Sequence, residues 1–251
     1  MALAVTPLAG KVAVMLGGTG GIGSAAARLF AEAGARVAVV ASRDVGKATA
    51  LATALPGSGH RGYAAAIERS DELTALAGDV AAQLGGADIL VNSAAVTCAV
   101  PHAELDTMDD ERFDHILRVN TRGAFAAVRA FAPLLRAKND GLVVNISSLS
   151  GSSGNGSSIA YCASKAALDV MGKSLARALA PAIRVLTVSP GIVDTDFVPG
   201  RDKAARDKQA PTIPLRRIAT PQDCAEAVLA CATSLRFSTG SIIQIDGGRH
   251  L

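Results

Sequence analysis

Two side chains in the stretch YCASK, residues 161–165, have the types and spacing for acid–base chemistry. Tyr161 and Lys165 are four residues apart, a little over one helical turn, so on a helix they project from one face. At an effective dielectric near 20, an ammonium about 4 to 5 Å from a phenol favours the phenolate by about 3 to 4 kcal/mol. We therefore expect the pKa of Tyr161 to fall from about 10 toward about 7 to 8, a range suited to proton transfer with a substrate oxygen.

Ser148 is the third candidate for this chemistry. It ends the strand-like run GLVVNISS at 141–148, and ligands bind at the carboxyl ends of parallel strands. The small residues between it and Tyr161, LSGSSGNGSSIA, form a connection that can bring the two side chains together. We therefore expect Ser148 to lie beside Tyr161 at the edge of the sheet where ligands bind.

A glycine-rich loop, GGTGGIG at 17–23, lies between the strand-like run 11–16 and an alanine-rich helical pattern at 23–34. Glycines permit a tight turn and a close backbone approach, and the helix beyond offers free N–H groups to a diphosphate. This strand–turn–helix context predicts a dinucleotide site. The residues expected to contact the cofactor here are Gly17, Thr19, Gly20, Gly21, Ile22 and Gly23.

The end of the second predicted strand, 36–42, indicates which dinucleotide is bound. An acidic side chain there would bind a ribose 2′-hydroxyl, but Ser42 and Arg43 occupy the position. A hydroxyl and a guanidinium favour a 2′-phosphate, so NADP(H) is favoured over NAD(H). Two observations leave NAD(H) open, since Arg43 could be a solvated loop residue and Asp44 stands beside it.

These candidates are distributed over alternating strand-like and helical segments. Further strand-like runs occur at 88–94, 183–190 and 241–248, and helical patterns at 44–55, 108–118, 121–137, 160–180 and 221–234. Apolar strands that alternate with helices predict an α/β fold, a doubly wound parallel sheet with helices on both faces. With no linker or repeat, residues 1–251 are expected to form a single domain, and the irregular segment 191–220 a substrate lid or loop.

The composition of the chain argues against several classes of function. The chain is 49% hydrophobic and 19% charged with a net charge of +3, which indicates a globular protein and gives no argument for nucleic-acid or membrane partners. The four cysteines lack CxxC or metal-ligand spacing, so no metal site is expected. Without a signal-peptide pattern or an apolar run of about 18 residues, the expectation is a soluble, cytoplasmic protein.

The motifs together resemble those of the short-chain dehydrogenases/reductases, a family with a Rossmann-type fold, over nearly the whole chain. The family's motifs correspond to LGGTGGIG at 16–23, NSAA at 92–95, Asn120 in RVNTRGAF, Ser148, YxxxK at 161–165 and SPGIVDT at 189–195. The ending STGSIIQIDGGRHL is similar to that of the 3-oxoacyl-carrier-protein-reductase-like branch. Departures are Leu16 for threonine, Ala95 for glycine and a loose match of Glu68 to the acid near the adenine.

The resemblance implies a role for each matching residue. Tyr161 would give a proton to a carbonyl during reduction or accept one during alcohol oxidation, with Lys165 lowering its pKa and binding the nicotinamide ribose. Ser148 would orient and polarise the substrate oxygen as a neutral oxyanion-type donor. Asn120 would hold a water that relays protons through Lys165. Further contacts with the cofactor are implied at Asn92 near the adenosine ribose, at Ala94, and around the nicotinamide at Pro190, Gly191, Val193 and Thr195.

We therefore expect an NADPH-dependent carbonyl reductase of 3-oxoacyl-like type that acts on a small-molecule carbonyl/alcohol pair. The alternatives are an NAD-dependent alcohol or sugar dehydrogenase and a non-catalytic dinucleotide-binding sensor. Against a carrier-protein substrate, the positions of the branch's basic docking residues fall on Asn139 and near Ala182. The resemblance also implies a dimer or tetramer built on 108–137 and the C-terminal segment, while the basic run 201–208 is expected to be an exposed helix.

Overall fold

Seven parallel strands form one sheet in the computed structural model, which describes residues 6–251. In chain order, β1 to β7 are Val12–Leu16, Arg36–Ala41, Arg61–Ala64, Ile89–Asn92, Gly141–Ile146, Ile183–Pro190 and Ile242–Ile245. Their order across the sheet is β3-β2-β1-β4-β5-β6-β7, so the winding reverses between β1 and β4. Such a reversal opens a crevice at the carboxyl ends of the strands, where doubly wound proteins bind ligands.

Helices cover both faces of the sheet. In chain order, α1 to α9 are Gly21–Glu32, Val45–Ala54, Ser70–Leu84, Asp110–Leu117, Ala124–Ala137, Ser150–Ser153, Ile159–Leu179, Lys203–Asp207 and Pro221–Thr233. Helices α3, α5 and α7 pack on one face, and α1, α2 and α9 on the other. The predicted α/β doubly wound sheet in a single domain is confirmed.

The strands are buried on both sides because successive side chains point to opposite faces. In β1, Val12, Val14 and Leu16 join the core beneath α3 and α5, while Ala13 and Met15 join the core beneath α1 and α9. Every residue of this strand is buried, which explains why a parallel strand has a continuous apolar run in the sequence.

Two elements of the fold were not predicted. Strand β3 has the sequence RGYA, and only Tyr63 in it is buried, so it lacks the apolar run by which the other strands are recognised. It lies at the edge of the sheet and pairs only with β2. Helix α3 has an apolar face, but Gly78 and several polar residues weaken its local helical pattern.

The two helices predicted at 108–118 and 121–137 form one continuous rod. A π-helical segment, Arg118–Gly123, joins α4 to α5, and Asn120 lies within it. A π-helical turn inserts extra backbone into a helix and often occurs at functional sites. From this segment, the Asn120 side chain bonds to the loop that follows β4, as described below.

Asp88 fixes the starts of β1 and β4 relative to each other. It is 4% exposed, and its carboxylate accepts hydrogen bonds from the Val12 backbone N–H at 2.9 Å and from Lys11 Nζ at 3.2 Å. We expect Asp88→Ala to lower the free energy of unfolding by about 2 to 4 kcal/mol, because it leaves a buried N–H without an acceptor. Chemical denaturation of both proteins would measure the difference.

Asp140 provides a matched control for Asp88. It also lies near Lys11 Nζ, at 3.7 Å, and bonds to Arg236 at 2.8 Å, but its side chain is 36% exposed. Asp140→Ala should therefore cost less than about 1 kcal/mol, as is usual for exposed ion pairs. If Asp88→Ala and Asp140→Ala lost the same free energy of unfolding, the buried N–H of Val12 would not account for the effect of Asp88.

Candidate active site

A cleft of about 1600 Å³ runs over the carboxyl edge of the sheet. Its walls are the loops after β1, β4, β5 and β6, the start of α7, and much of the 191–220 segment. Pockets for a single small ligand usually have volumes of about 300 to 1000 Å³. The cleft therefore has room for a dinucleotide together with a second small molecule.

The glycine loop at one end of the cleft has the close packing that a diphosphate site needs. Gly17 has φ +73°, and a methyl group at this position would lie 2.6 Å from the Ala94 backbone nitrogen. A methyl group at Gly23 would overlap the carbonyl oxygen of Gly17. No side chain caps the N-terminus of α1, so its first N–H groups are free to bind an anion.

Three polar or basic side chains line the cleft at the end of β2. They are Ser42 and Arg43, which were predicted, and Lys47 in the first turn of α2, which was not. The carboxylate of Asp44 caps α2 and accepts the Lys47 backbone N–H at 2.8 Å, and Asp44 is not among the residues that line the cleft. Positive charge thus predominates at this end, with Glu68 farther along the wall.

Ser148, Tyr161 and Lys165 all line the cleft above the end of β5. Ser158 caps α7 by accepting the Tyr161 backbone N–H at 3.3 Å, so the helix begins with Tyr161 in its first turn. Lys165 Nζ lies 5.7 Å from the centre of the tyrosine ring and donates a hydrogen bond to the Ile146 carbonyl at 2.7 Å. The three side chains are buried, with 8%, 8% and 2% of their surface exposed.

The pKa of Tyr161 does not follow the prediction. Burial raises it to about 12, although the Ser148 hydroxyl acts in the opposite direction. Burial also lowers the pKa of Lys165 to about 8, with nearby Asp169 opposing that change. The predicted value of about 7 to 8 for Tyr161 is wrong, because the loss of water around the phenol raises its pKa by more than the hydrogen bond with Ser148 lowers it.

Asn120 holds neighbouring segments of the cleft in place through hydrogen bonds. Its side-chain oxygen accepts the Val96 N–H at 2.8 Å, and its amide group donates to the Val96 carbonyl at 2.9 Å and to Ser164 Oγ at 3.0 Å. These bonds join the π-helical segment to the loop after β4 and to α7. Asn120 is 2% exposed and does not itself line the cleft.

The 191–220 segment covers the end of the cleft that contains Tyr161. Phe197 packs on Tyr161, with ring centres 5.8 Å apart and an angle of 52° between the ring planes. In α8, the Arg206 guanidinium bonds to Asp194 at 3.0 Å and to the Arg201 carbonyl at 2.7 Å. The expected exposed helix at 201–208 is correct for Lys203, but Arg206 is only 6% exposed.

Most of the predicted site residues meet in this cleft. Those that line it are Gly17, Thr19, Gly20, Gly21, Ile22, Ser42, Arg43, Ala94, Ser148, Tyr161, Lys165, Pro190, Gly191, Val193 and Thr195. Gly23, Asn92 and Asn120 do not line it. Asn92, the last residue of β4, is buried, and its amide group donates to Asn145 Oδ1 of β5 at 2.9 Å. Its own oxygen has no hydrogen-bond partner among residues 6–251.

Lys47 and Arg249 line the cleft but were not predicted, whereas Phe197 and Arg206 lie in the 191–220 segment that was expected to form the lid. Lys47 is in the first turn of the helix that follows Ser42 and Arg43, and this nearness to the end of β2 could have indicated that it reaches the same pocket. Arg249 lies near the C-terminus, and its position depends on long-range packing that has no local signal.

Comparisons with known proteins identify relatives over almost the whole chain. A family model described as "Enoyl-(Acyl carrier protein) reductase" matches residues 17–250. A 3-oxoacyl-(acyl-carrier-protein) reductase of Thermotoga maritima is 33% identical over 245 residues, which are 96% of this chain and 98% of the relative. A cis-4-hydroxycyclohexanecarboxylate dehydrogenase of Sinomonas cyclohexanicum is 35% identical over 95% of this chain and 96% of its own.

Solved structures agree with this relationship. The crystal structure of a short-chain dehydrogenase/reductase of Brucella melitensis, described as a glucose/ribitol dehydrogenase, superposes with a TM-score of 0.89. It shares 29% identity and covers 98% of each chain. Among residues 6–251, no helix is both long enough and apolar enough to span a lipid bilayer. By its matched motifs, its relatives and its fold, this chain belongs to the short-chain dehydrogenase/reductase family, whose members are nicotinamide-dependent oxidoreductases acting on CH–OH groups of small molecules.

Proposed function

We propose that this protein is an NADPH-dependent carbonyl reductase in which Tyr161 protonates the substrate oxygen. The observation that carries this proposal is the burial of Ser148, Tyr161 and Lys165 together in a cleft that continues to the glycine loop. This arrangement places a proton donor, a second hydroxyl and a cation at the end of the cleft where a substrate has room beside a dinucleotide. The relative from Thermotoga maritima carries the name of such a reductase.

Each residue has a distinct task in the proposed reaction. The bound nicotinamide supplies the hydride. The Ser148 hydroxyl orients the carbonyl, and Tyr161 gives its phenolic proton to the carbonyl oxygen as negative charge develops there. The phenolate that remains is stabilised by the ammonium of Lys165, whose pKa of about 8 allows it to pass on a proton near neutral pH.

The protonation state of Tyr161 suits the proton-donating step of a carbonyl reduction. Because burial raises its pKa to about 12, the phenol is neutral at physiological pH and ready to donate. Alcohol oxidation would need the phenolate as the base, and the same burial disfavours that form. The alternative, a dehydrogenase of alcohols or sugars, is represented by the relative from Sinomonas cyclohexanicum and uses the same residues in reverse.

The charges at the end of β2 support NADP(H) over NAD(H). Arg43 and Lys47 both line the cleft, and Ser42 adds a hydroxyl. A ribose 2′-phosphate would be bound by these two cations, whereas a 2′-hydroxyl gains little from them. Asp44, which left the choice open in the sequence, is used to cap α2.

Removing either cation should weaken NADPH binding selectively. We expect Arg43→Ala and Lys47→Ala each to raise the Kd for NADPH by about 10- to 100-fold, since each removes a charge-assisted contact with the phosphate. The Kd for NADH should change by less than about threefold, because NADH lacks that phosphate. Titration of the intrinsic nicotinamide fluorescence measures both constants, and equal losses for the two cofactors would argue against a 2′-phosphate site.

A substrate panel tests the function itself. Ketones and aldehydes would be assayed with NADPH and NADH, and secondary alcohols and sugars with the oxidised cofactors, by absorbance at the reduced-nicotinamide band. NADPH-dependent loss of absorbance with a ketone is the expected result. Turnover confined to alcohols with NAD⁺ would favour the dehydrogenase, and binding without any turnover would favour a non-catalytic sensor.

Two further assignments accompany this function. We infer that the 191–220 segment is a substrate lid, because Phe197 lies on Tyr161 and Arg206 anchors α8 to Asp194. We also infer that the chain assembles as a dimer or tetramer. The half-exposed Phe125 of α5 and Val170 of α7, 42% and 63% exposed, support contact through these helices.

A further inference from the structure

We propose that Arg249 binds a carboxylate of the substrate, so that the preferred substrates are oxo acids rather than neutral ketones. This inference rests on the proposed reductase function and concerns the part of the cleft farthest from the glycine loop. Arg249 lies beyond the end of β7, near the C-terminus of the chain, and its half-buried side chain lines the cleft.

The Arg249 guanidinium is held by neutral groups alone. It donates to Thr212 Oγ1 at 2.9 Å and to Gln209 Oε1 at 3.5 Å, both on the 191–220 segment. Within residues 6–251, no carboxylate lies within 4.0 Å of it. A guanidinium has five N–H donors, so most of its hydrogen-bonding capacity and its whole charge remain available.

Among the charged residues near Arg249, Arg206 and Asp246 are already paired, whereas Arg201 lines the cleft with an exposed side chain. Arg206 also lines the cleft, but its guanidinium bonds to Asp194 at 3.0 Å and approaches Asp196 to 3.5 Å. Asp246, three residues before Arg249, accepts the backbone N–H groups of Gly248 and His250 and the His250 ring nitrogen instead. Among residues 6–251, Arg249 thus differs from Arg206, which is paired with carboxylates, and from the exposed Arg201, which has no side-chain hydrogen bond to hold it in place.

The strand order separates Arg249 from the glycine loop, where the nucleotide phosphates are expected to bind. The glycine loop follows β1, and β7 is four strands away in the sheet order. At about 4.8 Å between neighbouring strands, this separation is about 19 Å. From β5, which leads to Ser148, β7 is only two strands away, or about 10 Å. A small molecule with its carbonyl at Tyr161 can therefore extend toward Arg249.

A carboxylate suits this site better than a neutral group does. A partly buried cation without a counterion loses hydration that a neutral ligand does not restore. A carboxylate accepts two parallel N–H bonds from a guanidinium, which restores the charge balance and fixes the direction of the ligand. The geometry thus orients an oxo acid with the carbonyl at Tyr161 and the acid group at Arg249.

A graded series of methyl ketone acids tests the proposal. The probes are 4-oxopentanoate, 5-oxohexanoate, 6-oxoheptanoate and 7-oxooctanoate, each beside its methyl ester, which has the same chain without the charge. With NADPH, the wild-type protein should prefer the acid by about tenfold or more in kcat/KM at the best length. Arg249→Ala should lower kcat/KM for that acid by about 10- to 100-fold, mainly by raising KM. The same variant should change kcat/KM for the ester by less than about twofold.

Two control variants separate binding from support of the lid. Thr212→Val removes a hydroxyl that holds Arg249 but leaves the charge of Arg249. The kcat/KM for the acid should therefore fall less in Thr212→Val than in Arg249→Ala. Arg236→Ala removes an exposed arginine that pairs with Asp140 outside the cleft. This variant should leave kcat/KM unchanged for both the acid and the ester. If Arg249→Ala lowered kcat/KM by the same factor for the acid and for the ester, Arg249 would only hold the lid in place. That result would overturn the proposal.

Failure of this proposal can be told apart from failure of the proposed function. If the esters are reduced as well as the acids at every length, the carboxylate site is wrong and the reductase stands. If no probe is turned over, calorimetry with NADPH-saturated protein decides on binding alone. Tighter binding of 5-oxohexanoate than of its ester, lost in Arg249→Ala, supports the site, and equal binding of the two overturns it.

Discussion

Tyr161→Phe is expected to lower kcat/KM for NADPH-dependent ketone reduction by about 1000-fold or more. The change removes the phenolic proton and leaves a ring of nearly the same shape, which still packs on Phe197. Cofactor affinity should change by less than about threefold, because the glycine loop and the end of β2 are untouched. Steady-state assays on a ketone found in the panel, together with fluorescence titration of NADPH, measure the two quantities separately.

The chain contains a second tyrosine that serves as the control. Tyr63 lies in β3, outside the cleft, and its hydroxyl donates to Gln83 Oε1 at 3.3 Å. Tyr63→Phe makes the same chemical change and should leave kcat/KM within about twofold of wild type, at a cost in stability of about 1 kcal/mol. If Tyr161→Phe kept more than about a tenth of the activity, Tyr161 would not be the proton donor. A parallel loss of NADPH binding would instead assign it to the cofactor site.

The site residues that could be predicted are those fixed by local geometry. Gly17 and Gly21 follow a strand and open a helix, and that order alone places them at the carboxyl edge of the sheet. Ser148 lies two residues beyond the end of β5, at the carboxyl edge of the sheet, and the spacing of Tyr161 and Lys165 fixes their common helix face. Each of these inferences depends only on the residue spacing within one helix, or on the order of one strand and the helix that follows it.

What could not be predicted depends on packing between distant segments. Phe197 and Arg249 reach the cleft because the 191–220 segment and the C-terminus fold over it, and neither lies in a recognisable motif. The pKa of Tyr161 depends in the same way on how completely Phe197 and its neighbours exclude water. Spacing reveals the Tyr161–Lys165 pair, but desolvation, which decides the direction of the shift, is a property of the assembled fold.

Gly23→Ala is expected to abolish useful NADPH binding, with a rise in Kd of about 100-fold or more, the largest effect we expect outside the reacting groups. The added methyl group would overlap the carbonyl oxygen of Gly17 and lie 2.9 Å from its carbonyl carbon and 3.0 Å from the Gly18 Cα. These are backbone atoms of the glycine loop, so they cannot turn aside as a side chain could. The loop must move away from α1, which separates the diphosphate from the free N–H groups of that helix. Such overpacking should also lower the free energy of unfolding by about 1 to 3 kcal/mol.

Gly78→Ala is the matched control, since it makes the same substitution inside another helix. Gly78 lies in the middle of α3, where an added methyl group would meet no atom within 4 Å. Alanine favours a helix over glycine by about 1 kcal/mol, so Gly78→Ala should stabilise the protein and leave the Kd for NADPH unchanged. Both variants gain the same helix propensity, and any difference between them measures the crowding at Gly17. If Gly23→Ala bound NADPH within about threefold of wild type, the contact between α1 and the glycine loop would not shape the cofactor site.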